Sequence, residues 1–225
     1  MQMNRHSFSP CLARAFFLII LSVLVGNVYA AAKLDFSKTF NDSGEPSYIH
    51  YQASYQLGNM THNIEVWRDQ NQRLKRLTDN RIETFVFKES KQVEWQMVVL
   101  DLTRKIRTDI TRTNLYRIGH FTDWFSLSHS LSRPLIAYQL IESTPPEGSE
   151  KPFANCRWYQ LKMNTSNSRI CWSTKVHLPL LITDVKGKTQ WRVTALDTRQ
   201  IDTRIFRIDD AGFVYNDGND DIKAD

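Results

Sequence analysis

Several signatures of chemistry are missing from this chain. It carries no G-x-S-x-G nucleophile turn, no H-x-x-x-H or H-E-x-x-H pair and no C-x-x-C. Their absence removes the local patterns of α/β-hydrolases, helix-borne zinc sites and dithiol redox centres. No enzyme activity and no cofactor is therefore expected. Cysteine is scarce, with three in 225 residues. There is no internal repeat, no low-complexity tract and no basic cluster with interleaved aromatics, which argues against a nucleic-acid partner.

One apolar run stands out, and it is short. Phe16–Val25 follows Arg5 and Arg14 and precedes Val28-Tyr29-Ala30. A bilayer core of roughly 30 Å needs about 20 residues of helix, so the run reads as the core of a secretory signal peptide. Residues 1–30 are assigned to it, with cleavage after Ala30 or Ala32; an uncleaved anchor is the alternative. Cys11 precedes the apolar core, so it is not the lipidated cysteine of a lipoprotein. The mature protein is expected to be soluble and periplasmic.

Removing the leader's two arginines from the 29 Lys and Arg leaves 27 basic residues against 24 acidic ones. Six aspartates and one lysine lie in Asp209–Asp225, so the body to Ile208 holds 26 basic and 18 acidic residues. A basic body suits an envelope partner or peripheral contact with an anionic membrane surface; a solvated, mixed-charge surface is the plainer reading. The tail 209–225 is read as acidic, with a disordered polar end.

After cleavage only Cys156 and Cys171 remain. An even pair in an oxidising compartment, on neighbouring strands, predicts a structural disulfide. Closing such a loop stabilises a fold by about 3 kcal/mol in the chain-entropy model.

Aromatic and β-branched residues fill the mature chain between short polar turns. Ser47–Gln56 sets Ile49, Tyr51, Ala53 and Tyr55 against Tyr48, His50 and Gln52. Met60–Arg68 sets Met60, His62, Ile64 and Val66 against Thr61, Asn63, Glu65 and Trp67. This period of two predicts antiparallel strands with one wetter face. Further strands are expected at Arg73–Leu77, Arg81–Lys88, Val93–Leu102, Lys105–Thr113, Cys156–Met163, Arg169–Thr174, His177–Thr183, Thr189–Leu196 and Ile201–Ile208. Leu135–Ile141 is a further apolar segment, and Ala31–Pro46 a mostly polar lead-in. No crossover of the length that parallel strands need separates them. A single helix, Thr122–Leu131, interrupts the series, with Thr122 as N-cap and Pro134 beyond its end. The fold class is mainly β: one curved antiparallel sheet, or half-open barrel, with one or few short helices over its concave face.

Possible metal or haem ligands are His50 with His62, on adjacent strands, and His120 with His129, flanking the helix; solvated histidine is the plain alternative. Asp217–Asp221 resembles a calcium loop loosely, but Ile222 stands where the turn glycine belongs. No metal site is assigned. Asn59 and Asn164 begin N-glycosylation sequons, relevant in a eukaryotic host.

Trp172–Ile182 (WSTKVHLPLLI), a glycine turn at Gly187 and Trp191-Arg192-Val193, following a leader, a meander and a helix, resemble the periplasmic lipoprotein-carrier-like (LolA/LolB-like) superfamily. The resemblance implies an unclosed half-barrel over about residues 31–208, with helices as a lid and an apolar cavity for acyl chains. It implies a hydrophobic ligand or lipidated protein as partner. Aromatic load points the same way, with ordinary core as its alternative. The expected lining is Trp95, Val98, Ile182 and Trp191, closed by Trp124, Phe125 and Leu127 of the helix. No binding residue is carried over from the family. A filled-core interaction or sensor module is the alternative function, and a His-based metal or haem protein a third.

Overall fold

Alternation of apolar and polar residues builds the first hairpin. In β1 (Tyr48–Leu57) and β2 (Met60–Asp69), Ile49, Tyr51, Ala53, Ile64 and Val66 are buried while Gln52 and Asn63 are exposed. The register pairs Tyr51 with Val66 and Ala53 with Ile64, so the apolar residues share one face. A computed structural model of the protein describes residues 33–88, 95–111 and 124–218. The leader, Thr122, His120 and residues 219–225 lie outside them.

The meander continues through β3 (Arg73–Thr78), β4 (Ile82–Phe87), β5 (Gln96–Asp101) and β6 (Ile106–Thr111). After helix α2 (Trp124–His129) come β7 (Tyr138–Glu142), β8 (Arg157–Met163), β9 (Asn167–Ser173), β10 (Leu178–Asp184) and β11 (Thr189–Asp197). With β12 (Val214–Asp217), the twelve strands among the described residues form one open, curved sheet in the order β12-β6-β5-β4-β3-β2-β1-β11-β10-β9-β8-β7. The β1–β11 pairing joins the early meander to the late one. Gly187 turns β10 into β11 with φ +84°, and a Cβ there would meet the Glu147 carbonyl at 3.2 Å. Cys156 and Cys171 form the expected disulfide, with Cα atoms 5.4 Å apart.

Four expectations need correction. The lead-in is a structural plug: α1 (Phe36–Thr39) is capped by Asp35, whose carboxylate accepts from the Lys38 N–H. It buries Phe36 and Phe40 against Tyr138, Tyr159 and Trp172. Second, the strand expected from Arg169 begins two residues earlier, at Asn167, as β9. Third, Ile201–Ile208 is not a strand. Asp202 caps a 3-10 turn, Thr203–Phe206, by accepting from the Arg204 N–H. Its apolar spacing serves a segment laid across the outer face, where Ile208 and Phe213 pack against Phe85, Val98 and Leu100. Fourth, that segment ends in β12 (Val214–Asp217), which pairs in parallel with β6. The sheet is therefore mixed, and the described part of the acidic tail, to residue 218, contains its parallel strand. Asp210 and Asp109 both bind Arg107, and Lys105 sits 4.7 Å from the Phe213 ring centre. Those charged contacts hold a stretch that charge alone would have left loose.

Candidate ligand cavity

Helix α2 is only six residues long, too short to be stable by itself in water. Tertiary contacts hold both of its ends to the inner face of the sheet. At the N-terminal end the Trp124 ring stacks on Trp95, with centroids 4.2 Å apart and planes at 12°. At the other end His129, fully buried, meets Arg68 of β2 and Glu45 of the lead-in. Glu45 Oε2 lies 2.7 Å from His129 Nε2 and 2.9 Å from Arg68 Nη1. The other ring nitrogen, Nδ1, is 3.0 Å from the Phe125 carbonyl. A guanidinium only donates and a carboxylate only accepts, so the Arg68–Glu45 contact is the ion pair of this cluster.

Burial pushes the Arg68 guanidinium below its ordinary pKa, opposed by the adjacent Glu45 carboxylate. Nearby, the Tyr51 hydroxyl is 3.1 Å from Ser130 Oγ, just past the helix, and burial raises the phenol's pKa. These contacts fix α2 like a bracket across the sheet.

Beside the bracket lies a cavity of about 650 Å³. The sheet contributes Ile64 from β2, Arg76 from β3, Thr84 from β4, Met97 and Val99 from β5 and Ile110 from β6. Tyr55, Trp191 and Ile182 come from β1, β11 and β10; Ser126, Leu127, Ser130 and Ser132 come from α2 and the residues after it. The Trp191 indole N–H donates to the Pro179 carbonyl at 2.7 Å, which fixes the ring. Gln56 and Gln190 complete a lining of eight apolar or aromatic and seven polar residues, and the cavity's size falls within the range of small-molecule sites, about 300–1,000 Å³.

Three of the seven expected lining residues, Leu127, Ile182 and Trp191, do line it. Trp95 and Trp124 do not line it; they stack on each other in the apolar cluster that also holds Met97 and Leu127. Phe125 turns away, stacking on His129 at 4.2 Å and leaning toward Trp172 in the cluster that α1 plugs. Val98 lies on the opposite face: it is paired with Phe85, whereas its neighbour Val99 is paired with Thr84 and faces the cavity. Strand parity carried that information, since one residue's shift exchanges the faces. Arg76, Met97 and Ile110 were missed for the same reason; in register with Val66, Val86 and Met97 respectively, they share the inner face.

His50 and His62 do not come together as a pair. His50 stacks on Trp67 and bonds Glu65 at 2.7 Å on the outer face, while His62 stacks on Tyr55 and bonds Asp79 at 2.6 Å on the inner one. The register, pairing His50 with Trp67 and His62 with Tyr55, puts the two rings on opposite sides. Among the described residues no group of three or more His, Cys, Asp or Glu is placed to hold a metal ion. No helix among them is long and apolar enough to cross a membrane. No protein-family model matches the chain, and a search of curated proteins finds no match to it.

Proposed function

We propose that this chain is an exported, periplasmic binding protein that holds a hydrophobic ligand beneath α2. The ligand is a lipid-like molecule or the acyl part of a lipidated protein. The observation that carries the reading is the cavity of about 650 Å³ walled by Ile64, Met97, Val99, Leu127 and Trp191. Apolar walls left out of tight packing favour an apolar guest, since burying its surface is worth about 25 cal/mol per Å². The open, curved sheet with a short helix on one face agrees with what the lipoprotein-carrier resemblance implies. Export is supported by the leader's pattern and by the Cys156–Cys171 bridge, a bond at home in oxidising compartments.

The test is native mass spectrometry of the protein recovered from a bacterial periplasm. An apolar adduct removable by solvent extraction is expected, and a Leu127→Asp variant should emerge without it. A protein that carries no adduct and, after extraction, refuses every apolar probe would remove this reading.

A further inference from the structure

We infer that the cavity is built for an acid-bearing amphiphile, a long-chain carboxylic acid whose head binds Arg76; this rests on the cavity being a ligand site. Arg76 is the one charged side chain among the described residues that line it. Its register opposite Val66 and Thr84 points it to the inner face, mid-floor, with Met97 and Val99 to one side and Ile64 and Trp191 to the other. The neighbouring cations are neutralised. Arg73 pairs with Asp69 at 2.6 Å, Lys75 with Glu83 at 2.7 Å and Arg68 with Glu45 at 2.9 Å. Arg76 forms no ion pair among the described residues, and its buried Nε has no hydrogen-bond partner.

A guanidinium on an apolar floor without a counter-charge costs free energy, and an incoming anion recovers it. Arg suits a carboxylate in particular, because its planar fork offers two parallel N–H donors. Thr84, directly opposite Arg76 on β4, and Ser130 across the cavity add hydroxyls to the polar spot. The surrounding aliphatic side chains then accept the chain. A neutral lipid would fill the walls and leave Arg76 unpaired.

The experiment uses the delipidated mature protein loaded with the uncharged fluorophore N-phenyl-1-naphthylamine. Palmitate and methyl palmitate are then titrated as competitors, in wild type and in Arg76→Met, which keeps an apolar side chain and drops the charge. Palmitate should displace the probe at a concentration lower by about tenfold or more, the size of a charge-assisted hydrogen bond. Arg76→Met, with each competitor read against the variant's own probe affinity, should no longer distinguish acid from ester.

Equal displacement by acid and ester in wild type would overturn the inference while leaving the cavity as an apolar site. A preference that survives in Arg76→Met would overturn the assignment of the head group to Arg76. Failure of wild type to bind the probe or either competitor would take down the cavity reading and this inference with it.

Discussion

Glu45 sits where two buried side chains, Arg68 and His129, converge, and its loss would be felt by both. Arg68 is fully buried, its Nε and Nη2 have no hydrogen-bond partner among the described residues, and Glu45 is its one ion-pair partner among them. Removing one partner of a buried pair typically costs about 3–5 kcal/mol, because the other charge stays buried and unpaired. Glu45→Ala should lower unfolding free energy by that order in urea melts. Tyr51→Phe removes one hydrogen bond to Ser130 and should cost about 1 kcal/mol. At the surface, several aspartates titrate below their ordinary range: Asp197 is held at about 2 by Arg199, and Asp210 is lowered by Arg107. Their folded-state pKa values lie under the unfolded ones, so the unfolded chain binds more protons in acid. Stability contributed by these contacts is present above about pH 4 and is lost as pH falls toward 2. Acid titration followed by circular dichroism should show the decline starting there, and added salt should shrink it, since these pairs are exposed.

Among the elements, the hairpins were legible and the pieces that cover them were not. Alternation in Tyr48–Tyr55 and Met60–Val66 named the inner face residue by residue, and both cysteines were placed on paired segments. The plug α1 escaped because its single turn holds only two large apolar residues, Phe36 and Phe40, too few for a helical period. Strand β12 escaped because its partner, β6, lies at the far edge of the sheet from β11, and no local pattern encodes that return. Val98 was misplaced for a subtler reason. Met97-Val98-Val99-Leu100 is apolar on both faces, so period two is silent there, and only the covering segment with Ile208 and Phe213 explains it. Phe40→Ala should cost about 3–5 kcal/mol in chemical denaturation, out of proportion to a polar lead-in. Reduction of the disulfide, or Cys156→Ser with Cys171→Ser, should cost about 3 kcal/mol by the same measurement.

For the molecule as a whole, the sheet stays open, and a helix fixed at both ends stands over an incompletely filled inner face. The two faces should answer differently to substitution at adjacent positions. Val99→Trp should fill the cavity and abolish uptake of an apolar probe, while Val98→Ala, on the outer face, should leave uptake intact. The most direct measurement is a crystal of the delipidated protein soaked in 1-bromododecane, with the bromine located by its anomalous signal. One site is expected between Leu127 and Met97, with Trp191 in its observed orientation. Bromine found only on the outer surface, with an inner face closed by its own side chains, would contradict it.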